Sequence, residues 1–460
     1  MKQQFTIQAI TSCTIEFGGT IEYSIDNGNT WRILEKLSLP AYHEAQFRNA
    51  KSTSNDCFII EGYFNAYGHI STLAPHGTEV FMWLFFQTNV VNANKLILDF
   101  DELWPLAYYG MFSGCSTLTT APELPSTKLA PRCYELMFTY CSSLTKAPEL
   151  PATTLTTNCY SYMFQSCSSL ESAPELPATK LAWMCYRGMF YRCTGITSTP
   201  ELPATELAQS CYTSMFSGCT SLTTAPSVLP ATTLADDCYR SMFKDCTSLI
   251  TAPELPATIL TVYCYHSMFR GCTRLTTAPE LPATTLYESC YAHMFYDCTD
   301  LTTAPELPAT ALADKCYYYM FQGCTRLVNG PSSIGTSSSK MSESACTSMF
   351  AGCTSLTSAA KLPATTLAKY CYAGMFYGCT SLTIAPELPA TELAEGCYSG
   401  MFEACISLAT APMLLAVKTK DKPYFHMFDG CKSLKKRPVM PETAYLEAVK
   451  MCFIPSELVK

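Results

Sequence analysis

Long apolar runs are missing from this chain. No eighteen consecutive residues are apolar, so a membrane-spanning helix is not expected. The start, Met1-Lys2-Gln3-Gln4-Phe5-Thr6-Ile7-Gln8, lacks the unbroken apolar core of a secretory signal and reads as a first β-strand. The expectation is therefore either a mature form or a protein that reaches the outside by another route, for instance on a virus particle. A basic surplus is missing too: 30 Lys and Arg stand against 38 Asp and Glu, a net charge of −8. General nucleic-acid binding needs a basic footprint and is excluded, and nothing draws the chain to anionic lipid. Histidine is scarce, with six in all, and none pairs with Ser or Cys in a catalytic motif. No phosphate loop, HExxH or nucleotide fingerprint occurs. The chain is therefore read as non-enzymatic, with no catalytic residue, cofactor or metal site expected.

What is present is repetition. Met-Phe recurs with Met at 111, 137, 163, 189, 215, 242, 268, 294, 320, 349, 375, 401 and 427. The interval is 26 apart from one 27 near Val228 and one 29. Residues 129–151 show the template, L-A-x-x-C-Y-x-x-M-F-x-x-C-x-x-L-x-x-A-P-E-L-P. Leu129, Cys133, Met137 and Cys141 lie four apart beside Tyr134 and Phe138, an apolar stripe that predicts one helix per unit. Thr153 would cap the next helix, and Gly before the second Cys, as at Gly114 and Gly218, would close each one. The run 144–150 predicts a short strand stopped by its Pro. One such unit cannot bury its stripe, so neighbours must stack. Strands about 4.8 Å apart opposite helices about 8–10 Å apart predict a curved array with the strands concave. The expected fold class is an α/β solenoid, a horseshoe of about thirteen turns of 26 residues, preceded by a small all-β domain.

Residues 1–75 lack the repeat. Phe5-Thr6-Ile7, the run 13–17, the run 21–25 and the run 57–60 alternate like strands of a small sandwich-like attachment domain. Asp26-Asn27-Gly28-Asn29 is a hairpin turn. The pattern Ser24-x-Asp26-x-Gly28-x-Thr30-Trp31 resembles the Asp-box hairpin of sialidase-type propellers, in one copy only, and implies a turn rather than that activity. Residues 76–110 read as an N-terminal cap with a degenerate first turn, 111–437 as the solenoid and 438–460 as a C-terminal cap. The Ser-rich insert 329–344 reads as a surface loop.

Cysteine is abundant, with 27 copies, mostly in one column before Met-Phe and one after it. Within a unit the two are eight apart, about 12 Å along a helix, too far to bridge or to share zinc. Helix spacing also argues against bridges between units. Buried small hydrophobes are favoured over metal clusters and disulfides, and free thiols suit synthesis in a reducing compartment. The column Glu123, Glu149, Glu175, Glu201, Glu254, Glu280, Glu306 and Glu387 is either a cation ladder or a set of hydrogen-bond acceptors, the second being favoured because like charges at strand spacing repel.

The copies differ at Pro131/Arg132, Glu135/Leu136, Thr139/Tyr140 and their equivalents, the expected outer helix face. Those positions hold Tyr140, Tyr162, Trp183, Arg187, Tyr191, Arg192, Arg240, Tyr263, Arg270, Tyr296, Tyr318, Tyr319, Tyr370 and Tyr377, with Ser, Gly and Asp between. Tyr, Arg and Trp among small polar residues compose a binding surface. A freely drifting solvated face is the alternative, though such a face should be rich in Glu, Lys and Ala. His266 and His293, at non-equivalent positions in neighbouring units, read as merely exposed.

The wording F-x-x-C-x-x-L with a Pro-ended strand, over roughly residues 80–440, resembles the BspA-like leucine-rich repeats of Bacteroides-type bacteria and their phages. The resemblance implies a surface-exposed adhesion or recognition protein without catalytic residues. No signal peptide or lipid-anchoring Cys stands near the start, which shifts the expectation toward a phage receptor-binding component that recognises a cell-surface protein or glycan. Other virion subunits would then contact the N-terminal domain, and neither nucleic acid nor membrane insertion is expected. A purely structural virion element or an intracellular scaffold remains the alternative.

Overall fold

The computed structural model describes residues 2–51, 58–77, 79–416, 422–435 and 438–439. The segment expected to form the C-terminal cap lies almost wholly outside them. The chain divides into two compact units, Met1–Pro226 and Ser227–Lys460.

The first unit opens with strands, several of which alternate in burial as their sequences do. They are β1 (Phe5–Ala9), β2 (Cys13–Phe17), β3 (Thr20–Ser24), β4 (Arg32–Ile33), β5 (Leu37–Leu39), β6 (Glu44–Lys51), β7 (Phe58–Glu61), β8 (Phe64–His69) and β9 (Val90–Ile97). Six form a sheet in the order β4-β3-β6-β1-β8-β9, and three form another, β5-β2-β7. The expected hairpin joins β3 to β4. Asp26 accepts from the Thr30 N–H at 2.8 Å and hydroxyl at 2.6 Å, and the Trp31 indole donates to the Gly28 carbonyl at 3.0 Å. The Thr30 hydroxyl and N–H, with the Ser24 hydroxyl, hold the Asp26 carboxyl down to about 2. The last pairing, β8 with β9, is parallel, and Asn92 of β9 bridges in parallel to Thr120 of the first repeat. The aromatic core is continuous as well. Phe58 stacks on Phe85 at 5.9 Å, and Phe85 on Phe112 at 5.3 Å.

Among the described residues the repeats contain no α-helix. Among the described residues the helices are two 3-10 turns, Ile70–Thr72 and Glu79–Phe81. The stripe expected to be helical is a chain of tight turns. Cys133, Met137 and Cys141 each donate N–H to the carbonyl three residues back, on Ala130, Tyr134 and Phe138. The residue before each donor is left-handed: Arg132 at φ 61°, Leu136 at 60° and Tyr140 at 61°. An i to i+3 bond with φ positive only at the third residue is the type II turn. The Gly before the second Cys is left-handed, as at Gly114 (φ 77°), but serves this turn and not a helix cap.

The alternate N–H groups point to the next coil. Arg132, Tyr134, Leu136, Phe138 and Tyr140 donate to the carbonyls of Thr157, Cys159, Ser161, Met163 and Gln165 at 2.8–3.1 Å. Every polar backbone group along the arm thus has a partner, half local and half in the neighbour. Opposite the arm, the short strand expected over 144–150 is reduced to isolated parallel bridges, such as Thr120 to Lys146 and Lys146 to Ser172 two residues before each Pro.

Both sides of a coil therefore stack at strand-like spacing. Phe138 sits 5.5 Å from Phe164, and Tyr134 sits 5.8 Å from Tyr160, with planes 8° and 1° apart. In the second unit, Phe295 lies 5.4 Å from Phe321. The curvature argued from wide helices facing narrow strands loses its premise. The insert 329–344 is not a plain surface loop: Ile334 and Met341 are buried, and Asn329, Ser333 and Lys340 bridge to the following coil.

Candidate functional site

The left-handed turn residues form three columns on the outside of each coil. The first runs Leu106, Arg132, Asn158, Met184 and onward, the second Gly110, Leu136, Tyr162, Gly188 and onward, the third Gly114, Tyr140, Ser166, Arg192 and onward. A side chain at such a position lies along the stack, over the backbone of the next coil. A Cβ on Gly188 would come within 2.2 Å of the Tyr162 ring, and one on Gly396 within 2.2 Å of the Tyr370 ring. Glycine in one coil seats the aromatic ring of the coil before it.

In the first unit, Tyr140 is 55% and Trp183 46% exposed. The Gln165 amide donates to the Tyr140 hydroxyl at 3.4 Å. The Arg187 guanidinium lies over Tyr162 at 5.7 Å and Arg192 over Tyr191 at 5.3 Å. Trp183 has no ring or ionic partner among the described residues.

In the second unit, Arg240 covers Tyr263 at 5.4 Å and pairs with Asp237 at 3.0 Å. Arg270 covers Tyr296 at 4.6 Å, and Tyr318 meets Tyr319 edge-on at 4.1 Å. Tyr370 donates its hydroxyl to Glu395 at 2.8 Å. Tyr377 stands apart, 48% exposed. The sequence passed over two members of this group. His266 and His293 are half-buried with ring centres 5.5 Å apart, and His293 stacks on Tyr319 at 5.2 Å. Burial and the nearby Arg240 and Arg270 charges push the His266 imidazole down to about 4, and burial and Arg270 do the same to His293. Their unequal places in the repeat concealed the contact, because left-handed side chains reach across to the next coil.

On the opposite edge of the first unit, the Pro-Glu-Leu-Pro segments line shallow cavities. One of about 490 Å³ holds Thr120, Pro122, Glu123, Lys146, Pro148 and Glu149. In the second unit Glu306 accepts the Ser332 N–H at 3.1 Å and its hydroxyl at 2.5 Å. Among the described residues no three His, Cys, Asp or Glu side chains converge as a metal site.

Every cysteine among the described residues is buried and free. Helix spacing cannot be what prevents bridging, since the described repeats have no α-helix. The second column engages its thiols instead: Cys141 donates to the Phe112 carbonyl at 3.1 Å and Cys167 to that of Phe138 at 3.0 Å. Also among the described residues, no helix is long and apolar enough to cross a membrane.

The family model described as "BspA type Leucine rich repeat region" matches residues 108–223, 184–328, 232–382 and 317–448. Among solved structures, a leucine-rich repeat protein from Bacteroides ovatus is similar at 20% identity and a TM-score of 0.44, over 76% of this chain and 85% of that one. No curated protein matches.

Proposed function

Since the chain belongs to the BspA-type leucine-rich-repeat family, we propose that it is a recognition protein whose turn face binds a protein or glycan on a cell surface. It would work at a bacterial surface or as the receptor-binding part of a phage. The N-terminal strands would serve as the attachment module.

One observation carries this reading. The turn geometry favours glycine at the left-handed positions, and glycine does occupy them in many coils. A side chain there costs roughly 1–2 kcal/mol per residue. Yet Tyr140, Tyr162, Arg192, Tyr263, Tyr319 and Tyr370 all take that conformation. Their rings and guanidinium groups are largely outside the core, so burial returns little of the cost. A binding role would offset that cost.

The test is a trade of stability against binding. Replacing Tyr140, Tyr162, Tyr263, Tyr319 and Tyr370 together with glycine should leave the melting temperature level or higher. Binding of the full chain to intact cells should fall at least tenfold. Undiminished cell binding by that variant would refute the reading. A large, uniform assembly on a sizing column together with no cell binding would favour a structural virion element.

A further inference from the structure

In the second unit the outward side chains of neighbouring coils close on one another. Tyr263 lies 5.5 Å from His266, His266 lies 5.5 Å from His293, and His293 stacks on Tyr319 with 4° between planes. Tyr318 approaches His293 edge-on at 5.5 Å, and Tyr296 flanks it at 5.7 Å. Arg240 and Arg270 lie over Tyr263 and Tyr296. This is a patch of flat rings and planar polar groups.

Its charges leave no excess of cations. Asp237 pairs with Arg240, and Asp245 stands 3.8 Å from the Lys244 ammonium. Asp297 feels the Arg270 charge, and Glu288 accepts the Tyr263 hydroxyl at 3.4 Å. Asp314 and Lys315 lie on the coil that carries Tyr318. Both imidazoles are neutral at ordinary pH, so the patch offers no surplus cation for an acidic ligand. It does offer donors and acceptors in equal measure: guanidinium and phenol O–H, carboxylates, and neutral imidazoles that carry one of each.

We propose that this cluster binds an uncharged pyranose sugar, a reading that rests on the recognition role above. The C–H face of a pyranose needs a flat aromatic surface. Each of its hydroxyls both donates and accepts, which suits a mixed set of planar polar groups. A protein partner would instead seat its anchors in a desolvated apolar pocket, and this surface is a half-buried polar platform.

The full-length chain would be tested by interferometry. Immobilised neoglycoproteins would carry glucose, galactose, mannose or N-acetylglucosamine, with glucuronate as the acidic comparison. At least one neutral probe should bind, with affinity flat between about pH 8 and 5.5 because both imidazoles stay neutral there. Tyr318→Ser combined with Tyr319→Gly should weaken it at least tenfold, and His293→Asn at least threefold. Ile33→Ser on β4 should change nothing, and melting temperatures would verify that each variant folds. The proposal is overturned if no neutral probe binds, if glucuronate is preferred, if binding tightens on acidification, or if the double variant binds normally. Cell binding that none of these sugars competes away sinks the sugar site and leaves the recognition role standing. Absence of any cell binding removes both.

Discussion

The Phe112 carbonyl accepts two hydrogens, the N–H of Cys115 at 3.0 Å and the thiol of Cys141 at 3.1 Å. Only a small side chain with one donor fits that place in every coil, which explains cysteine there better than burial alone. Cys193 makes the same bond to Phe164 at 2.9 Å. Cys193→Ala should therefore cost about 1 kcal/mol in chemical denaturation, with little else changed. Thiol reagents should leave the described cysteines unlabelled in the native chain and label them all after unfolding. The two histidines set an acid limit. Both have folded values near 4, below the ordinary 6.5. The unfolded chain takes up protons first, so the stability they provide is complete above about pH 6.5 and is lost as pH falls toward 4. His266→Asn with His293→Asn should flatten that part of the melting-temperature profile.

At the scale of the element, the type II turn decides what a coil tolerates. Pro131 occupies the second position of its turn, where a fixed φ near −65° is favourable. Proline five residues later would be ruinous, since residue 136 needs a positive φ and its N–H is bonded to Ser161. Leu136→Pro should unfold the surrounding coils, seen as a new early transition in a thermal melt. Pro423 stands in place of a cysteine and is accommodated. It forgoes one local N–H bond but still accepts from Tyr398 at 2.9 Å. The Phe ladder gives each coil its apolar contact with the next. Phe164→Ala would open a gap between Phe138 and Phe190 and should cost about 3–5 kcal/mol.

For the molecule as a whole, each coil contacts mainly its neighbours, so stability accumulates link by link. The same summation applies to alkaline pH. Burial pushes Cys115, Cys159, Cys193 and Cys211 up to about 12 from an ordinary value near 9. The unfolded chain ionises first, so stability is complete below about pH 9 and declines above it. Many thiols act together, and the melting temperature should fall far more steeply past pH 9 than for a protein with one buried cysteine. The repeat, its period, its family and its inward residues were all legible in the sequence, because burial demands the same side chain at the same place in each coil. Of the fourteen variable residues, Tyr140, Trp183, Tyr370 and Tyr377 are among those exposed, since packing inside the coil does not fix their identity. The helix was misread. A step of four overshoots a helical turn by about 40°, so Leu129, Cys133, Met137 and Cys141 would wind off one face of a helix. They line up only on a chain of four-residue turns. That choice depends on the even N–H groups reaching carbonyls of the next coil, a contact some 25 residues away that no local propensity encodes. Stacking also decided that left-handed side chains lie across their neighbours, and so brought His266, His293 and Tyr319 together from three different coils.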